Sequence, residues 1–136
     1  MEQEIMEILY NLKKRFIAID EEFISDLDLT PAEYYTFIAI SNCSEINSTQ
    51  LSQKMGLSLS RISRVVDKMV VKGFLTRDVS NNDRRSIDLK LTTKGNNYLD
   101  RIMEFRTNCE SRIINNIPKE ELELIRKSLK KVLELL

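Results

Sequence analysis

Thr49-Gln50-Leu51-Ser52-Gln53-Lys54-Met55-Gly56, continued by Leu57-Ser58-Leu59-Ser60-Arg61-Ile62-Ser63-Arg64-Val65-Val66-Asp67-Lys68-Met69-Val70-Val71-Lys72-Gly73, is the stretch on which the fold turns. Asn47 or Ser48 can cap the first of two helices, because either side chain can accept a bond from an unpaired amide of the first turn. Gly56 supplies the left-handed residue that closes this helix, and Ser58 stands where it can cap the next. Two helices joined by so short a turn must cross steeply.

The second helix, Leu59 to Lys72, places Leu59, Ile62, Val66, Met69 and Val70 on one apolar stripe at gaps of three and four. Ser60, Arg61, Arg64 and Lys68 face the other way. Arginine can reach guanine edges or phosphates in a major groove, and serine can approach either. Taken alone, such a helix is an ordinary amphipathic helix with a solvated basic face. The residues beyond Lys72 change that reading. Gly73 stops the helix, Phe74 to Val79 reads as a strand, and Ile87-Asp88-Leu89-Lys90-Leu91 alternates apolar and charged as a half-buried strand does. The polar run Ser80 to Arg85 between them makes a hairpin with Arg84 and Arg85 at its tip, where an arginine can enter a narrow, strongly negative minor groove. Asp83 either pairs with a wing arginine and braces the loop or serves as a turn-forming residue.

Three pieces in order, Leu51 to Ser58, Ile62 to Met69 with Lys72-Gly73-Phe74-Leu75, and Asp83-Arg84-Arg85-Ser86 leading to Leu91-Thr92-Thr93-Lys94-Gly95, resemble the multiple-antibiotic-resistance regulator (MarR) family. The resemblance implies a mainly α fold with a small β-wing, a winged helix-turn-helix whose N- and C-terminal helices form a dimerisation layer. It implies one domain over 1–136, with a DNA-binding lobe over about 30–95 and dimerisation helices over about 1–25 and 96–136. The expected function is a cytoplasmic transcription regulator, a repressor that binds a pseudo-palindromic operator on double-stranded DNA as a homodimer. Carried over position by position, Ser60, Arg61, Ser63 and Arg64 become the groove contacts, Arg84 and Arg85 the wing contacts, and Asp83 the wing brace. The family often leaves DNA when a small aromatic or phenolic effector binds between lobe and helical layer. Here the aromatic residues of the first two helices, Phe16, Tyr34, Tyr35 and Phe37, are the candidates; their other reading is plain core packing.

A net charge of zero looks unpromising for a DNA binder until it is divided along the chain. Residues 48–95 carry ten basic and four acidic side chains, residues 1–47 three and ten, and residues 96–136 eight and seven. Phosphate attraction follows local potential, so the basic centre matters more than the total. The length suits one domain, no apolar run is long enough to span a membrane, and no signal peptide is expected at the start.

The chain has no histidine, which removes histidine-based triads, most zinc sites and the simplest pH switch. Cys43 and Cys109 are too far apart for a metal knuckle and read as small buried hydrophobes rather than thiol sensors. No glycine-rich phosphate loop is present. An enzyme therefore has no residue to rest on, and neither metal nor cofactor is expected.

Toward the N-terminus Ile5, Ile8, Leu9, Leu12, Phe16, Ile19 and Phe23 recur at helical spacing. Thr30-Pro31-Ala32-Glu33 then starts a second helix, with Thr30 as cap, Pro31 in the first turn and Glu33 reaching back. At the other end Thr92 can cap a long helix, and Pro118 separates it from a last helix bearing Leu122, Ile125, Leu129, Val132, Leu133 and Leu136. These end helices offer more apolar surface than the small central lobe can cover, so a second copy is the natural partner. The alternative to a sequence-specific regulator is a winged-helix module that holds protein or RNA and uses its basic face for general affinity.

Overall fold

A computed structural model of the chain describes residues 4–43, 45–79 and 87–136. They form α1 (Ile5–Ser25), α2 (Pro31–Ile40), β1 (Ile46–Asn47), α3 (Ser48–Met55), α4 (Leu59–Val71), β2 (Leu75–Val79), β3 (Ile87–Leu91), α5 (Thr93–Ile114) and α6 (Lys119–Leu135). The chain divides into two compact units, Met1–Leu99 and Asp100–Leu136. The mainly helical winged-helix fold read from the sequence is the fold found, with one strand added.

That addition is β1, a two-residue strand. The sheet is antiparallel throughout in the order β1-β3-β2, with Ile46 opposite Leu89 on one side of β3 and Leu75 opposite Leu91, Arg77 opposite Leu89 on the other. Lys90 of β3 pairs with Glu45 just before β1 at 3.1 Å. Two residues are too few for alternation to register, so nothing in the pattern announced them.

The helix starts are set by their caps. Thr30 and Glu33 exchange side-chain to backbone hydrogen bonds at 3.2 and 3.0 Å, so α2 begins on a full capping box. Asn47, and not Ser48, caps α3, in a second such box with Gln50. Ser58 Oγ accepts from the Arg61 amide at 3.3 Å to start α4, and Gly56, at φ +63°, closes α3 in the left-handed conformation.

The core of the first unit is built from Tyr34, Phe37 and Ile40 of α2, Leu51 of α3, Ile62, Val66 and Met69 of α4, and Phe74, Leu75 and Leu89 at the sheet. Phe37 meets Phe74 edge to face at 5.3 Å, and Tyr98 from the first turns of α5 lies 4.6 Å from Phe74. One detail of the sequence reading changes here. Leu59 is 54 % exposed and does not share the buried stripe of α4. A helical side chain leans toward the N-terminus, so the first residue of a helix projects beyond the edge that its stripe covers. Gly95 lies in the first turn of α5, where a Cβ would collide with the Phe74 carbonyl oxygen, so the close approach of the two segments requires glycine. Thr92 fixes that approach: its hydroxyl donates to the Gly73 carbonyl at 2.5 Å and accepts from the Gly95 amide at 3.0 Å.

The second unit comprises the rest of α5 and α6. Helix α6 has no buried residue: Ile125, Leu129 and Leu133 are exposed, while Leu122 and Val132 are half-buried.

Candidate nucleic-acid interface

Ser60, Arg61, Ser63 and Arg64 are all exposed on α4, and so is Lys68, while Ile62, Val66 and Met69 of the same helix are buried. The alternation of fates follows from the helical period: one stripe is taken into the core, and the hydroxyls and guanidinium groups between its members are left outside. Ser60 Oγ lies 3.1 Å from the capping Ser58 Oγ. Arg61 and Arg64 form no ion pair among the described residues. The one acidic residue of α4, Asp67, is taken by Arg77 of β2 in an ion pair that fastens the helix to the sheet. The exposed face of α4 thus presents Arg61 and Arg64 without a carboxylate partner among the described residues. The wing residues named from the sequence, Asp83, Arg84 and Arg85, lie outside the described residues.

The C-terminal end of α4 is held by a contact that joins residues 39 positions apart. Lys72 Nζ donates to Glu33 Oε1 at 2.8 Å and to the Asp28 carbonyl at 3.0 Å, and the Lys72 carbonyl accepts from Lys94 Nζ at 2.7 Å. Glu33 is 1 % exposed. Burial pushes its carboxyl group up, but hydrogen bonds from Lys72 and Thr30, with the Lys72 charge, outweigh burial and hold it below its ordinary value. The sequence reading gave Glu33 only its capping role.

Of the four aromatic residues named for an effector pocket, the structure brings Tyr34 and Tyr35 together and leaves Phe16 and Phe37 apart. Tyr34 and Tyr35 donate to the two carboxylate oxygens of Asp20 on α1, at 3.0 and 3.3 Å, and line a cleft of about 240 Å³ with Ile17 and Glu21. Burial and the Asp20 charge raise the Tyr35 hydroxyl above its usual pKa. Phe37 is fully buried among Phe74 and Tyr98, and Phe16 is exposed on α1. A wider, open cleft of about 650 Å³ between α2, α3 and the start of α4 also has Tyr35 in its lining, with Lys54 and Arg61 among the other residues. No sequence signal marked Lys54, because its neighbours there come from a different helix.

A pair of helices joined by a short turn, a three-stranded sheet and an amphipathic α4 with an exposed basic face are the parts of a winged helix-turn-helix fold. Residues 29–87 match the MarR family. The multiple antibiotic resistance protein MarR of Escherichia coli is 27 % identical over 113 residues, 82 % of this chain and 78 % of that protein. The HTH-type transcriptional repressor MdtR of Bacillus subtilis is 22 % identical over 124 residues, 89 % of this chain and 80 % of that protein. Among solved structures, Streptococcus pneumoniae FabT in complex with DNA superposes with a TM-score of 0.89 at 23 % identity, covering 96 % of this chain and 94 % of that one. The family match thus covers residues 29–87, and nearly the whole chain shares the fold of FabT.

Proposed function

We propose that this chain is a homodimeric, sequence-specific DNA-binding repressor whose helix α4 enters the major groove. The observation that carries the reading is the outer face of α4, where Arg61 and Arg64 stand exposed without a carboxylate partner among the described residues while the helix's own Asp67 is neutralised by Arg77. Ser60 and Ser63 supply small hydroxyls between them. The lobe over about 30–95 meets DNA, and Arg84 and Arg85 reach the minor groove from the wing with Asp83 bracing it. That FabT was solved with DNA and that MdtR is a repressor support the reading. Occupation of promoter DNA by such a dimer excludes other proteins from the same stretch, which is the simplest route to repression.

Dimerisation rests on the exposed apolar residues of α1 and α6, Ile5, Ile8, Leu12 and Phe16 in the first and Ile125, Leu129 and Leu133 in the second. Covering them with the same helices of a second copy removes the exposed surface and sets two recognition helices at a fixed spacing, which a pseudo-palindromic operator would match. A small aromatic effector that favours another spacing would release the DNA. No catalytic role, metal or cofactor is proposed.

The test is selection of bound fragments from the source genome by the purified protein, followed by titration of the selected site at several salt concentrations. Arg64→Ala should cost about 1–3 kcal/mol of binding at the selected site. Replacing Arg84 and Arg85 together by Ala should weaken binding across many sequences and reduce the salt slope, with the largest losses where the flanks are A·T-rich. Binding without a preferred sequence, collapsing with salt, would instead assign the basic face to general affinity and make the chain an interaction module.

A further inference from the structure

A single exposed leucine is ordinary on a protein surface. Leu59 differs in its place: it is the first residue of α4, its neighbours are Ser58, Ser60 and Arg61, and the core that takes Ile62, Val66 and Met69 leaves it outside. A helical side chain leans toward the N-terminus, so Leu59 projects past the end of the helix that meets base edges when a recognition helix docks.

At 100° per residue Leu59 and Ser63 lie along one edge of the exposed face of α4, with Ser60 and Arg64 beside them and Arg61 and Lys68 along the opposite edge. The Ser60 hydroxyl is engaged by Ser58 at 3.1 Å, whereas the Ser63 hydroxyl takes no partner among the described residues. Leu59 and Ser63 also line a cleft of about 180 Å³, with Ile62, Val66 and Leu89 buried behind them and the exposed Ile87 of β3 near its mouth. That volume is below the range of sites for drug-sized molecules. It is ample for a methyl group.

The major-groove edge of thymine carries two adjacent features, the O4 acceptor and the 5-methyl group. Serine and arginine read hydrogen-bonding groups and are blind to the methyl. Only an apolar side chain senses it. We propose that Leu59 is a base-reading residue, which seats the 5-methyl group of a thymine at the mouth of this cleft while the Ser63 hydroxyl donates to O4 of the same base. Residues four apart on a helix are near neighbours, as the two features of thymine are. The assignment rests on the functional reading above, which sets α4 in the major groove, and adds to it the chemistry of one base in each half-site.

The experiment takes the full-length protein and the DNA site that it selects from the source genome. Each thymine of the half-sites is replaced in turn by deoxyuridine, which lacks the 5-methyl group and keeps O4, and affinity is measured by fluorescence anisotropy. One thymine in each half-site should be sensitive: its replacement should weaken binding about fourfold, and replacement of both about fifteenfold, the effect of burying one and two methyl groups. Deoxyuridine in the flanks should change nothing. Leu59→Ala should bind the thymine and deoxyuridine sites equally. Ser63→Ala should weaken both by the same factor and keep their ratio, because O4 is common to the two bases. Far-UV circular dichroism and a thermal melt establish that each variant is folded, and the deoxyuridine scan of the unaltered protein needs no variant. A selected site without a methyl-sensitive thymine, or a preference for thymine that survives in Leu59→Ala, overturns the assignment and leaves the DNA-binding reading standing. Failure to select any sequence removes that reading and the assignment with it.

Discussion

Helices α4 and α6 are built on the same principle and meet different fates. Each carries an apolar stripe at helical spacing and a charged opposite face. In α4 the stripe disappears into the lobe, with Ile62 and Met69 at 0 % exposure and Val66 at 4 %. In α6 the corresponding residues stay outside, Leu129 at 47 % and Leu133 at 77 %. Amphipathicity therefore says that a face will be covered but not by what. For α4 the cover comes from its own unit, from α2, α3 and the sheet.

The comparison breaks most sharply if α6 proves to need no partner. Leu129→Glu combined with Val132→Glu should convert the protein to a monomer in sedimentation experiments and lower affinity for the selected DNA site by at least about a hundredfold, because two linked half-sites then act singly. A variant that stays dimeric would place the covering surface of α6 elsewhere. In α4 the covering is internal, so Ile62→Ala should cost about 3 kcal/mol of unfolding free energy by removing packed atoms from a site that cannot fully collapse. That loss should be the same at every protein concentration, whereas the wild-type melting temperature should rise with concentration as dimer contacts add to it. Chemical denaturation at two concentrations separates these contributions.

A smaller effect sharpens the contrast at the end of α4. Lys72→Met should cost about 2 kcal/mol at neutral pH, since it leaves the buried Glu33 carboxylate without its cation. The sign with pH follows from the depressed Glu33 pKa. In the wild type its contribution is complete above the ordinary carboxylate range and is lost as pH falls through the lowered value. In Lys72→Met burial acts without the lysine, and protonation relieves it. The gap between the two proteins should be widest near neutrality and should close as pH falls below about 4, read as the difference in urea midpoint. A gap independent of pH would mean that Lys72 acts through its tie to the Asp28 carbonyl alone.

What could be read in the sequence was what is local. The caps at Thr30, Ser58 and Thr92 and the left-handed Gly56 depend on residues a few positions apart, so the pattern contains the cause. The exposed set Ser60, Arg61, Ser63 and Arg64 follows from one helix's periodicity and the family resemblance. The choice between Asn47 and Ser48 as cap, by contrast, is settled by where β1 ends, and β1 exists only because β3 lies beside it. Lys72 with Glu33, Asp67 with Arg77, and Lys54 with the Ala39 carbonyl each join separate elements, and composition holds no trace of such pairings. The four aromatics were alike as letters in a periodic string, yet packing sent Phe37 to the core and left Phe16 outside.

The hydrogen bonds of Lys72 add, at one end of α4, to the packing of Ile62, Val66 and Met69 along its length, so that end is the more firmly held of the two. The thirteen residues of α4 make a rod about 20 Å long at 1.5 Å per residue. Lys72 is tied to Asp28, Glu33 and Lys94 at one end, while Arg61 stands within the first turn at the other. For a rod of this length, a tilt of about 5° about the Lys72 end displaces the far end by about 1.7 Å, enough to unseat a hydrogen bond, yet it barely moves Lys68. A force applied beside Arg61 therefore acts with its full lever arm on the first turn of α4 and with almost none on the residues nearest Lys72.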